Sequence, residues 1–133
     1  MDNNENMNIP EIDRDDPKAV AEYVVSVLDS KKATDIRLLH VTERTVIADY
    51  FILASGNSRT QIKSLCDEIE YKLELCGIEK LHTEGDPNGG WMLIDYGFVI
   101  VHIFSREARK MYNLEKLYQD SDEVDITGLV SEN

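Results

Sequence analysis

The run at residues 91–104, Trp-Met-Leu-Ile-Asp-Tyr-Gly-Phe-Val-Ile-Val-His-Ile-Phe, is the most apolar stretch of the chain and limits its possible folds more than any other. Leu93, Ile94, Val99, Ile100, Val101 and Ile103 suit a pleated sheet, and Asp95-Tyr96-Gly97 offers a residue that tolerates the positive φ of a hairpin turn. Two strands joined by a tight turn are expected. From Phe98 to Phe104 both alternating faces are apolar, so the second strand should be covered on both sides, as in a sheet with helices packed over it. In the first strand Trp91, Leu93 and Asp95 share one face and Met92, Ile94 and Tyr96 the other, which places a large aromatic and a carboxylate near the rim of the sheet.

At 133 residues the chain has the size of one domain with one core. It carries 26 acidic against 14 basic residues, net −12, a balance that argues against a surface built for nucleic-acid phosphates. Residues 1–33 hold 8 acidic and 4 basic side chains and residues 119–133 hold 5 and none, so the excess sits in the flanks. Such flanks are usually solvated tails; steering toward a basic partner is the sharper alternative. The reading is therefore a disordered acidic tail over 1–15, a single α/β domain over 16–120 and an acidic tail over 121–133. The only cysteines, Cys66 and Cys76, fall ten residues apart in one helical segment. That is about 15 Å along a helix axis, too far for a bridge, and it fits a reducing compartment. No apolar run reaches the roughly 18 residues that cross a membrane, and the acidic start resembles neither a signal peptide nor a transit peptide. A soluble cytoplasmic protein is expected.

Asp16 and Pro17 form an N-cap and first-turn pair, and Val20, Tyr23, Val24, Val27 and Leu28 repeat at helical spacing as far as Lys31. Residues 35–41 alternate as a strand of mixed burial, 42–45 make a turn, and 48–55 read as a buried strand, hairpin partner or near neighbour of the first. Ser58 with Gln61 has the form of a capping box, opening a helix whose stripe is Ile62, Leu65, Cys66, Ile69, Leu73 and Cys76 and which Gly77 ends. Residues 78–84 are a weak strand candidate. Three glycines and a proline make 85–90 a loop. Ser105 can cap a short helix through Met111, and Asn113 can start another turn through Tyr118.

Chemistry is thin in this pattern. His40, His82 and His102 fall on different elements, without paired spacing or a neighbouring cysteine, so no metal site is expected. A half-buried, satisfied residue is the ordinary reading of His102. Ser55 and Ser58 flank a strand-to-helix turn, but the Gly-x-Ser-x-Gly elbow is missing. The turn Ser55-Gly56-Asn57-Ser58 could hold a phosphate on backbone amides, as nucleotidyl-transfer enzymes do. Those enzymes also need two close carboxylates for magnesium. Asp67 and Glu68 lie well down the helix and Asp95 stands alone, so a structural turn is favoured over an anion site. The rim residues Trp91, Asp95, Tyr112, Glu115, Lys116 and Tyr118 combine aromatic anchors with charges, as interface cores do. Composition alone leaves open whether they meet a partner or merely cover and solvate the core.

Five ordered motifs say more: Ala48-Asp49-Tyr50-Phe51, Ser55-Gly56-Asn57-Ser58-Arg59-Thr60-Gln61, Trp91-x-x-x-Asp95-x-Gly97, Val101-His102-Ile103-Phe104 and Tyr112-Asn113-Leu114-Glu115-Lys116-Leu117-Tyr118. Over residues 20–120 the chain resembles the ribosomal silencing factor family, also called Iojap-like proteins. Tyr118 stands where that family commonly has Trp, and Phe98 where an acidic residue is usual. The resemblance implies an α/β (α+β) domain with a mixed β-sheet and flanking helices, a nucleotidyltransferase-like fold without catalytic carboxylates. It implies no enzymatic activity and no cofactor. The partner it implies is the large ribosomal subunit, bound through its protein fourteen so that the small subunit cannot join and translation is damped when nutrients run low. Homodimers of the free factor are part of the expectation, as is little direct contact with nucleic acid. Trp91, Asp95, Tyr112, Glu115, Lys116 and Tyr118 are the implied contact residues. The alternative is a magnesium-dependent nucleotidyltransferase or nucleotide-binding protein using the turn at Gly56, Asn57 and Ser58.

Overall fold

A computed structural model describes residues 9–41 and 48–131; the acidic stretch 1–8 and the turn expected at 42–45 lie outside the described residues. Helix α1 (Pro17–Ser30) starts where the Asp16 carboxylate accepts the Ala19 N–H at 3.2 Å and Pro17 fills a first-turn position that needs no donor. It buries Val20, Ala21, Val24, Val25, Val27 and Leu28. Strands β1 (Thr34–His40) and β2 (Tyr50–Gly56) pair antiparallel. Helix α2 (Arg59–Leu75) buries Ile62, Leu65, Cys66, Ile69 and Leu73 and ends at a half-buried Cys76. Both cysteines are free thiols, and burial pushes Cys66 up to about 12.

The expected hairpin is β4 (Trp91–Asp95) and β5 (Val99–Ser105), with Gly97 at φ +96 and its N–H held by the Asp95 carboxylate at 2.7 Å. The first six residues of β5 are buried. With β3 (His82–Asp86) and β6 (Asp122–Val124) the sheet has the order β3-β4-β5-β2-β1-β6, in which β2 and β5 run parallel and every other pair antiparallel. Helices α1 and α2 cover one face, over Leu38, Ile52, Ala54, Ile94, Val99, Val101 and Ile103. The other face, with Leu39, Phe51, Leu53, Ile100 and Phe104, lies under the short helices α3 (Arg106–Tyr112) and α4 (Leu114–Leu117). Each fully buried Leu or Ile contributes about 1.5–3 kcal/mol, which fixes the register of this two-sided sheet.

Four expectations give way. The strand expected at 78–84 starts later and runs on into the supposed loop, where Gly85 and Asp86 pair with Met92 and Trp91. An open ladder on β4 outweighs the poor strand propensity of these residues. The remaining loop is one tight turn, Pro87–Gly89, capped by the Asp86 carboxylate on the Asn88 N–H at 2.9 Å.

The chain beyond residue 120 does not stand off as a tail. Asp122, Glu123 and Val124 pair with β1, and Val124, Ile126, Leu129 and Val130 pack against the α1–α2 core. Ser131 closes the segment through its N–H and hydroxyl, each 3.0 Å from the Asp29 carboxylate. At the other end Ile12 packs against the same core and the Pro10 carbonyl accepts the Cys76 thiol at 3.5 Å, so residues 9–15 also belong to the domain.

Candidate protein-docking face

The β4–β5 register sets Trp91 opposite Phe104 and Leu93 opposite His102, and Leu53 of β2 lies on the other side of His102. Strand alternation therefore puts Trp91, Leu93, His102, Phe104, Phe51 and Leu53 on one face. The Trp91 ring lies 5.2 Å from Phe104 and 4.4 Å from Tyr112, and Phe51 meets His102 at 5.0 Å and Tyr118 at 4.8 Å edge-on. Such ring pairs add about 0.5–1.5 kcal/mol each beyond the area they bury. The strand delivers Trp91 from Gly90, whose φ is +82 and where a Cβ would stand 2.7 Å from Ser105 Oγ. The Gly90 carbonyl accepts the Ser105 N–H at 2.8 Å, which ties the turn to the start of α3.

Ser105 Oγ caps α3 through the Ala108 N–H at 3.1 Å, as its position suggests. Asn113, left-handed at φ +49, ends α3 and redirects the chain into α4. An ionic chain fastens the two helices down. Arg109, 8% exposed, donates to Ser55 Oγ at 2.9 Å and to the Glu115 carboxylate at 2.9 Å. Glu115 also accepts from Arg37 at 3.2 Å, and Arg37 Nε donates to Glu123 at 3.0 Å. Burial alone would raise the Glu115 carboxyl, but the Arg109 and Arg37 guanidiniums outweigh it and hold the group below its usual range.

Five of the six sequence-derived contact residues thus gather at α3, α4 and the start of β4. Trp91 and Tyr118 are half-buried, Tyr112 is 48% exposed, Lys116 is exposed, and Glu115 belongs to the ionic chain. Asp95 stands apart, at the other end of β4, about 13 Å along the strand. Its carboxylate holds the Gly97 N–H and faces His82 Nδ1 at 3.8 Å. Sequence reasoning missed Met111 and Leu117, exposed at 74% and 70% on the same two helices, although apolar side chains outside a helix's apolar stripe are the signal for them. It also misjudged His102, which is 4% exposed rather than half-buried. His102 Nδ1 accepts the Trp91 indole N–H at 3.2 Å, Nε2 has no hydrogen-bond partner among the described residues, and burial lowers its pKa to about 4.

The turn at residues 56–58 is taken up by the helix start. Ser58 Oγ accepts the Gln61 N–H at 3.0 Å, and Gln61 Oε1 accepts the Asn57 N–H at 2.6 Å, one residue before the position expected of a capping box. Arg59, beside it, donates to Asn88 at 3.0 Å. Among the described residues no three His, Cys, Asp or Glu side chains group so as to hold a metal ion, and no helix is long and apolar enough to cross a membrane.

Fold and face together define an α/β domain with a mixed sheet, helices on both faces, and an aromatic rim where β4 meets α3. The family model described as "Ribosomal silencing factor during starvation" matches residues 14–133, and the chain belongs to this family. "Ribosomal silencing factor RsfS" of Halalkalibacterium halodurans is 36% identical over 110 residues, 83% of this chain and 94% of that one. A more distant relative, "Mitochondrial assembly of ribosomal large subunit protein 1" of Mus musculus, is 29% identical over 100 residues, 73% of this chain and 44% of that one. A crystal structure of a Chromobacterium violaceum protein, 29% identical, superposes with a TM-score of 0.75 over 78% of this chain and 87% of its own. The family resemblance and the mixed sheet with flanking helices are borne out. The family match continues past residue 120, as β6 does.

Proposed function

We propose that the chain represses translation by docking on the large ribosomal subunit through the face around Trp91 and Tyr112, at the subunit's protein fourteen, where its bulk keeps the small subunit from joining. The observation that carries this reading is the face itself. Tyr112, Met111 and Leu117 expose aromatic and apolar surface on two short helices beside a half-buried Trp91. Exposed large apolar side chains beside an aromatic pair suit a docking surface, and Trp, Tyr and Met are the side chains enriched in interface cores. A net charge of −12 suits a basic ribosomal protein better than RNA, so direct contact with nucleic acid is small. Membership in a family of ribosomal silencing factors and a relative named for large-subunit assembly support the choice of partner.

On this reading the protein acts in the cytoplasm, without catalysis and without a cofactor, and pairs with a second copy when free. Trp91 and Tyr112 are the anchors, Tyr118 backs Trp91 through Phe51 and His102, and Lys116 supplies a rim charge that fixes register. Glu115 holds α4 in place, and Asp95 meets the partner only at the far margin of the footprint. Subunit joining followed by light scattering tests the proposal. The wild-type chain should suppress assembly of purified large and small subunits, and Trp91→Ala should restore it. Suppression by neither chain, or by both equally, overturns the reading.

A further inference from the structure

Trp91 is the one tryptophan of the chain, and its ring contacts Tyr112, Phe104 and His102 with centroids at 4.4, 5.2 and 5.9 Å. Ring packing of this kind leaves the indole free to slide, because dispersion has little direction. A hydrogen bond does not. Indole has a single donor, and it points at His102 Nδ1 from 3.2 Å. A neutral imidazole that accepts at Nδ1 carries its proton on Nε2, and here Nε2 is buried with no hydrogen-bond partner among the described residues. Phe51, edge-on at 5.0 Å, is its aromatic neighbour across β2. The strand therefore places a polar ring where Phe or Val would pack without bringing an unpaired polar atom of its own. In return His102 makes one directed side-chain contact among the described residues, and that contact is to Trp91.

We propose that His102 is a positioning residue: its Nδ1 accepts the Trp91 indole N–H and fixes the direction of that ring, so that the anchor meets the ribosomal partner already oriented beside Tyr112. The inference rests on the docking reading of this face and deepens it by naming what sets the anchor's geometry. Burial keeps His102 neutral down to about pH 4, so the acceptor persists wherever the protein works. A pre-oriented anchor loses less conformational freedom on binding than a mobile one, and the benefit appears in affinity.

Two full-length variants separate this role from packing. His102→Phe keeps a ring without an acceptor, whereas His102→Asn keeps an acceptor at the δ position without a ring. The first readout is the single indole N–H signal in the proton–nitrogen NMR spectrum of the free protein. His102→Phe should shift it upfield and speed its exchange with deuterated water by about tenfold, and His102→Asn should leave it near wild type. The second readout is sedimentation with purified large subunits, where His102→Phe should weaken binding about fivefold and His102→Asn should recover most of the loss. If His102→Phe fails to fold, His102→Leu against His102→Asn gives the same contrast with matched shapes. An indole signal indifferent to losing the acceptor overturns the positioning role, whatever the subunits do. If the indole responds as expected but Trp91→Ala binds subunits like wild type, the docking reading fails instead, and His102 is left holding a ring with no partner to meet.

Discussion

At Gly90 the backbone runs at φ +82, and an added Cβ would stand 2.7 Å from Ser105 Oγ and 3.3 Å from the Ala108 methyl. Gly90→Ala combines left-handed strain with a collision at the point where β4 receives Trp91, and should cost about 1–3 kcal/mol in urea unfolding. A midpoint equal to wild type would contradict the close approach of this turn to α3. His102 sets a pH dependence. In the folded chain it stays neutral down to about pH 4, whereas the unfolded chain takes up the same proton near 6.5. Between those values the unfolded state binds more protons, so stability falls as pH drops from 6.5 toward 4 and levels off below, by on the order of 3 kcal/mol in all. Subtracting the unfolding profile of His102→Phe isolates this component; identical slopes for the two proteins would show that the imidazole is not desolvated.

Helices α3 and α4 span seven and four residues, too short to persist without tertiary support. Part of that support is the apolar packing of Ala108 and Leu114 on the sheet, and part is the chain of Arg109, Glu115, Arg37 and Glu123, which ties both helices to β1 and β6. Glu115→Ala would strand a guanidinium that is 8% exposed. Because the Glu115 side chain is itself 25% exposed, the expected loss is about 2 kcal/mol, less than the roughly 3–5 kcal/mol of a fully buried pair. Thermal unfolding measures it, and adding Arg109→Met should return part of the loss by removing the stranded charge. The long periodic segments are legible in the sequence: the α1 and α2 stripes and the 91–104 hairpin each carry enough repeats to define a period. Strand β6 and the end of β3 are not, because segments of three and five residues in which Asp, Glu and Gly predominate show no apolar alternation and adopt strand only when a neighbour offers an open ladder. The face was half legible. Trp91, Tyr112 and Tyr118 stand in motifs, but a histidine inside an apolar run reads as core, and only the β4–β5 register brings His102 to the indole.

Across the whole molecule, part of the carboxyl-terminal acidity is built into the sheet: Asp122 and Glu123 lie in β6 along the outer edge of β1, where Glu123 pairs with Arg37. Ending the chain at residue 120 would remove β6 and expose what Val124, Ile126, Leu129 and Val130 cover. For four partly buried side chains the expected loss is on the order of 3 kcal/mol, a melting temperature lower by about 10 °C. An unchanged melting temperature would return this segment to the status of a tail. The aromatic face sits across the sheet from the two long helices, so its residues can change without touching the main core. That separation makes the docking claim testable on a folded protein. Gradient sedimentation with purified large ribosomal subunits is the direct measurement: the wild-type chain should travel with the subunits, and Trp91→Ala should bind about 30-fold more weakly, the loss of about 2 kcal/mol that a central tryptophan anchor carries. Equal co-migration of the two chains, or a wild-type chain left at the top of the gradient, would contradict the account.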